Sequence, residues 1–309
     1  MTVVPLLRER TPDRPGPGPV PEALLRAVDL EIGRRIDGLL PGEHRTAAVG
    51  VGTELAQVRP WSPGDDVRRI DWKATARSNE VQVRVDVAER ALTSWLLLDV
   101  SPSMTFGTAD RRKWDVAEGV ALAVGHLASR RGNRVGVMTF GGAESLVLRP
   151  RQGRTGLLSV LLALRRDPET ERIGQTSIGQ ALAQVGRVAR QRALVVVVSD
   201  FRGPRDWRKP LLQLAARHAV VAVEIRDQRE QELANVGHVW LVDPETGRKL
   251  HVDTASRRLR ERFAAAAAEE RADLVRELAS LGVPHVSLST GGDWLRPFAS
   301  FLTRERRRR

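Results

Sequence analysis

The stretch WLLLDVSPSM at residues 95–104 runs four apolar residues into an acid, Asp99, and then places hydroxyls at Ser101 and Ser103. An apolar run of this length bounded by a polar exit reads as a strand buried on both faces, the kind that fills the middle of a parallel sheet. In an open α/β sheet, ligands gather where strands end at their carboxyl side, because loops there leave the core and meet solvent. Asp99 stands at such an exit. If the loop beyond it is extended, Ser101 and Ser103 turn their hydroxyls to the same side as the acid.

Outward from that stretch, apolar runs alternate with helix-length segments, the pattern of a parallel sheet flanked by helices. Strands are expected at 93–99, 134–140, 145–150, 193–200, 219–225, 238–243 and 284–289, and 246–252 suits a hairpin with 238–243. The segments 113–131, 155–166, 177–191, 205–218 and 255–282 carry helical spacing between them. Every residue of 194–198 and of 219–223 is apolar, as central strands require. The fold class is therefore α/β: a Rossmann-like, doubly wound, mostly parallel sheet.

Upstream the texture differs. Residues 11–21 hold five prolines, too many missing donors for helix or sheet. Residues 24, 25, 28, 32, 36 and 39 are apolar at helical spacing, and Pro41 with Gly42 stops that helix. From 47 to 90 glycine turns precede an alternation at Val81, Val83, Val85 and Val87, which reads as β structure. The resulting division is a disordered proline-rich lead at 1–21, an amphipathic helix at 22–41, a β-rich module at 42–90, the α/β domain at 91–302 and a basic tail at 303–309.

Two later positions carry oxygen chemistry of the same kind as the serine loop. Thr176 opens a helix in GQTSIGQAL, and Asp200 closes the strand ALVVVVSD. Five oxygen donors are thus available: Asp99, Ser101, Ser103, Thr176 and Asp200. The chain has no cysteine, so a metal here must be held by oxygen or imidazole. Hard cations follow, magnesium first and manganese or calcium after it. Two carboxylates and three neutral hydroxyls barely neutralise such an ion, which stays electrophilic toward an outside carboxylate.

The order Asp99-x-Ser101-x-Ser103, then Thr176, then Asp200, resembles the metal-ion-dependent adhesion site of von Willebrand factor A domains. That resemblance implies direct ligation by Ser101 and Ser103, ligation by Thr176 directly or through water, and mainly water-mediated roles for Asp99 and Asp200. The segment GEHRTAAVGVGTELAQVRPWSPGDDVRRIDWKATAR at 42–77 resembles the signature that precedes such a domain in the family called domain of unknown function 58. Relatives commonly carry tyrosine where this chain has Trp61, and many carry N-terminal membrane helices. Members often accompany MoxR-type AAA ATPases, so the resemblance implies a non-enzymatic assembly or chaperone role. The partner would offer an Asp or Glu to the metal.

Other classes are weighed against this. A net charge of +12 suggests an anionic partner, but 46 of the 50 basic residues are arginine, a skew that codon bias can impose on a whole proteome. An arginine-rich nucleic-acid-binding protein and a metal-dependent hydrolase stand as the alternatives. Against enzymes, no Gly-Lys pair, no G-x-S-x-G and no histidine pair at ligand spacing occurs. No run of eighteen apolar residues and no signal-type apolar segment appears, so the sequence-level expectation is a cytoplasmic chain without a membrane span. Asp65, Asp66 and Asp71 read as structural bridges among arginines, and Trp61, Trp72 and Trp95 as core or interface residues.

Overall fold

The computed structural model describes residues 16–18, 55–86, 93–130, 133–142, 145–164, 177–243 and 247–304. The expected helix at 22–41 lies outside them, as does most of the proline-rich lead. The chain divides into two compact units, Asp37–Ala91 and the remainder.

In the smaller unit, β1 (Leu55–Pro60) and β2 (Gln82–Asp86) form an antiparallel pair. Between them lies α1 (Trp72–Ser78), which the alternation-based reading of a β-rich stretch does not anticipate. Asp71 starts this helix by accepting from the Lys73 and Ala74 amides, and Asn79 ends it in the left-handed conformation at φ 59°. The acids of this stretch are spent locally. Asp65 takes both nitrogens of Arg59 at 2.6 and 2.8 Å, Asp66 caps the turn Val67–Arg69, and Asp71 also pairs with Arg84. Trp61 and Trp72 are exposed rather than core, Trp72 by 71%.

The larger unit is built on six strands: β3 (Thr93–Asp99), β4 (Arg134–Phe140), β5 (Val147–Gln152), β6 (Leu194–Ser199), β7 (Ala219–Arg226) and β10 (His285–Ser289). Their order is β10-β7-β6-β3-β4-β5, parallel throughout except for β5, which runs antiparallel at the edge beside β4. This is the doubly wound α/β arrangement that the sequence predicts. A register shift interrupts the β4–β5 pairing between Val135 and Val137, and Pro150 lies within β5.

Period-two alternation sorts the side chains of β3 onto two faces. Leu96 and Leu98 join one core cluster with Val116, Val120 and Val124 of α2 (Lys113–Arg130) and with Leu295 and Phe298 of α7 (Leu295–Arg304). Trp95 and Leu97 join the other, with Leu182 and Val185 of α4 (Ile178–Val188), Leu211 and Leu214 of α5 (Arg208–Ala215), and Leu274 and Leu278 of α6 (Arg257–Ser280). A further helix, α3 (Gly153–Leu164), adds Val160 and Ala163 to the first cluster. Burying a Leu or Val of this kind is worth about 1.5–3 kcal/mol, which is why the apolar runs decide the sheet.

α7 is not anticipated by the apolar spacing. Asp293 caps it by accepting from the Leu295 and Arg296 amides, and Pro297 occupies its first turn, where a missing N–H costs nothing. It extends through Arg304, past the expected start of the tail at 303. Trp294 lies over Gly119 of α2, where an added Cβ would fall 2.2 Å from the indole, and its Nε1 donates to the Pro17 carbonyl at 2.9 Å. A satellite hairpin of β8 (His238–Val242) and β9 (Lys249–Asp253) buries Val239 and Leu241 against Leu259 and Phe263 of α6.

Candidate metal centre

The sheet order reverses between β3 and β6, so their carboxyl ends form the switch point at which a doubly wound sheet opens a crevice. Asp99 ends β3 and Asp200 follows β6, and both are buried. Beyond Asp99 the chain does not stay extended. Ser101 is extended at φ −64°, ψ 157°, and then a tight turn covers Pro102–Thr105. The turn, rather than an extended loop, brings the hydroxyls together, with Ser101 Oγ and Ser103 Oγ 3.0 Å apart.

The loop is fixed from several sides. Asp99 accepts from the Ser101 amide at 2.9 Å and from the Ser199 hydroxyl, which in turn accepts from the Phe201 amide. Ser103 hydrogen-bonds to Asp200, tying the serine loop of β3 to the exit of β6. Four of the five expected site residues are accounted for here: Asp99, Ser101 and Ser103 meet at one point, and Asp200 adjoins them. Thr176 lies outside the described residues.

Three neighbours complete the centre, and none is singled out by motif reading. Lys113, at the start of α2, is fully buried and donates to Asp200 Oδ2 at 2.6 Å and Glu230 Oε1 at 2.8 Å. One signal existed for it, since the chain uses lysine only four times against 46 arginines. A compact ammonium fits between two carboxylates where a planar fork does not. Glu230 arrives from the turn Gln228–Glu230 after β7, out of reach of any spacing rule. Gly141, at the exit of β4, has φ +83°, and a Cβ there would lie 2.8 Å from Asp99 Oδ1 and 2.8 Å from Ser101 Cβ. Only glycine combines that backbone with that closeness.

The charges separate the two aspartates. Burial would raise Asp200, but the charge and hydrogen bond of Lys113 outweigh it and hold the carboxyl below its ordinary value. Burial, followed by the charge of Asp200, pushes Asp99 up to about 7. Burial would likewise lower the Lys113 ammonium, and the facing charges of Asp200 and Glu230 reverse this, leaving it raised.

This set fits a hard divalent cation. For metal–oxygen bonds of about 2.1 Å, adjacent corners of an octahedron are separated by about 3.0 Å, which matches the serine hydroxyl pair. Asp99 is a buried acid whose hydrogen bonds come from serines, and a cation would displace its proton. Among the described residues no cluster of three or more His, Cys, Asp or Glu could hold a metal, and a cation at this centre would take the rest of its shell from hydroxyls or water. The centre would accordingly offer Ser101 and Ser103 as ligands, Asp99 and Asp200 as charge, and Lys113 as a fixed counter-charge.

A doubly wound α/β domain with oxygen donors convergent at its switch point is the class that fold and site define. Within it, the chain belongs to the family described as "Protein of unknown function DUF58", whose model matches residues 57–273. An uncharacterized protein of Mycobacterium tuberculosis (strain ATCC 25618 / H37Rv) is 39% identical over 287 residues, spanning 92% of this chain and 90% of that one. An uncharacterized protein of Mycobacterium avium is 37% identical over 159 residues, or 51% of this chain and 92% of that one. Among solved structures, the conserved hypothetical protein BatB from Bacteroides thetaiotaomicron aligns at 13% identity and TM-score 0.45, covering 70% of this chain and 100% of that one. The SpRpn10 VWA domain aligns at 15% identity and TM-score 0.35, covering 69% and 95%. Among the described residues no helix is long and apolar enough to cross a membrane.

Proposed function

We propose that this chain is a non-enzymatic protein-interaction module that binds an acidic residue of a protein partner through a divalent cation, magnesium or else manganese or calcium. The ion would be held by Ser101 and Ser103, with Asp99, Asp200 and Thr176 completing the set. The observation that carries this reading is the Ser101–Ser103 hydroxyl pair, 3.0 Å apart, beside two buried aspartates at the switch point. With Lys113 and one cation present, positive charge offsets Asp99, Asp200 and Glu230, and the ion keeps affinity for one more carboxylate. The partner proposed is a MoxR-type AAA ATPase, assisted in assembly or chaperone work, as the family resemblance implies.

The test is calorimetric titration of magnesium into the wild type and the Ser101→Ala/Ser103→Ala variant, followed by binding of the purified ATPase with magnesium or with EDTA. Wild type should take up one ion and bind the ATPase only when loaded, and the variant should do neither. Equal ATPase binding in EDTA would overturn the metal-mediated reading. Turnover of phosphate esters lost in Asp99→Ala would replace it with a hydrolase.

A further inference from the structure

A cleft of about 630 Å³ opens at the amino-terminal ends of β3 and β4, the opposite end of the sheet from the serine loop. Four arginines from different elements line it: Arg134 at the start of β4, Arg149 in β5, Arg187 in the last turn of α4 and Arg190 just beyond. Among the described residues, no carboxylate lines the cleft and none pairs with any of these guanidiniums. Elsewhere in this unit arginines find acids, as Arg205 does with Glu277 and Arg257 with Glu261.

Arg187 and Arg190 can be explained as cations complementing the carbonyl end of α4. Arg134 and Arg149 cannot, because they come from neighbouring strands and add like charge to the same space. The floor is rigid. Trp95 and Pro150 meet across Gly136, where an added Cβ would stand 2.9 Å from Pro150 Cγ and 3.0 Å from Trp95 Cε3. Trp95 is only 1% exposed and so offers no face on which a base could stack.

We propose that this cleft binds a phosphate chain bearing three or more negative charges, of the kind present in inorganic polyphosphate and in the tail of a nucleoside triphosphate. Guanidinium forks match phosphate oxygens bidentately, and the volume lies within the roughly 300–1,000 Å³ of small-molecule sites. Four forks, none of them paired among the described residues, offer more donors than a single phosphate needs and suit a longer chain.

The experiment titrates the full-length chain with tripolyphosphate, ATP and AMP by calorimetry at low salt. EDTA is present throughout, so that binding does not pass through the proposed metal centre. Arg134→Gln/Arg149→Gln and Arg187→Gln/Arg190→Gln are compared with Arg258→Gln/Arg262→Gln, which removes the same charge from the exposed surface of α6. Tripolyphosphate should bind the wild type once per chain, with AMP at least about tenfold weaker, and each cleft variant should lose at least about tenfold while the α6 variant stays within about threefold. Similar affinity for tripolyphosphate and ATP assigns the site to the phosphate chain alone, and about tenfold tighter ATP assigns it to a nucleotide. The proposal is overturned if tripolyphosphate does not bind, if AMP matches it, or if the α6 variant loses as much as the cleft variants. That last result would assign binding to the net charge of +12 as a whole.

Discussion

Two buried aspartates at strand exits, Asp99 after β3 and Asp227 after β7, face opposite ends of the same design choice. Asp227 is saturated: it accepts from the Thr108 amide and hydroxyl, the Thr290 hydroxyl and the Arg229 amide, all between 2.6 and 2.8 Å. Its partners come from three separate segments, so it staples loops together and has nothing left for a ligand. Asp99 is held by serines, and the nearby Ser101 and Ser103 hydroxyls share a hydrogen bond with each other while also reaching Asp99 and Asp200, so one small cluster links both acids. Asp227 spends its acceptors on stapling loops, whereas a serine oxygen that donates one hydrogen bond still keeps acceptor capacity, which the proposed cation would use.

The largest expected effect is on the buried ammonium beside Asp200, which the Asp99 cluster has and Asp227 lacks. Lys113→Met strands Asp200 and Glu230 without their buried cation and should cost about 3–5 kcal/mol in urea unfolding. Asp227→Ala should cost about 3 kcal/mol whether or not magnesium is present, because it orphans several buried donors. Metal rescue of that loss would show that Asp227 belongs to the recognition site after all. Gly141→Ala should cost about 2 kcal/mol from its positive φ and its closeness to Asp99 and Ser101, and should also weaken magnesium uptake. Unchanged calorimetry would detach Gly141 from the centre.

The smallest effect is on pH. Asp99 is raised from its ordinary 3.8 to about 7, so the folded chain keeps a proton that the unfolded chain releases. Stability from this group is complete below pH 4 and is lost as pH rises through about 7. At least one pKa unit's worth, about 1.4 kcal/mol, should separate metal-free melting at pH 5 from that at pH 8. Saturating magnesium should narrow the gap, and Asp99→Asn should remove it. A gap untouched by Asp99→Asn would place the titration elsewhere.

What was legible in the sequence follows from how local its cause is. The boundaries of β3, β4 and β6 fall within a residue of expectation, because burial on both faces admits nothing but apolar side chains across Leu96–Leu98 and Val195–Val198. α1 and α7 were hidden because their signals are caps and a first-turn proline, Asp71 in one and Asp293 with Pro297 in the other, rather than apolar periodicity. The convergence of Asp99, Ser101, Ser103 and Asp200 was readable from strand exits, although the conformation joining the serines was not, since a Pro102 turn replaces the expected extension. Lys113 and Glu230 stand 117 residues apart and meet only once the sheet is assembled. No local pattern could place them.

The outer margin of β5 has a consequence for the chain in a crowded cell. An edge strand with regular, open amides is a template on which a second molecule can add a strand and begin to polymerise. Here Pro150 has no amide hydrogen to offer, and the broken register at Val135 and Val137 interrupts the regular β4–β5 ladder. This border of the sheet is therefore a poor seed for aggregation, and a Pro150→Val exchange would be the shortest route to making it one.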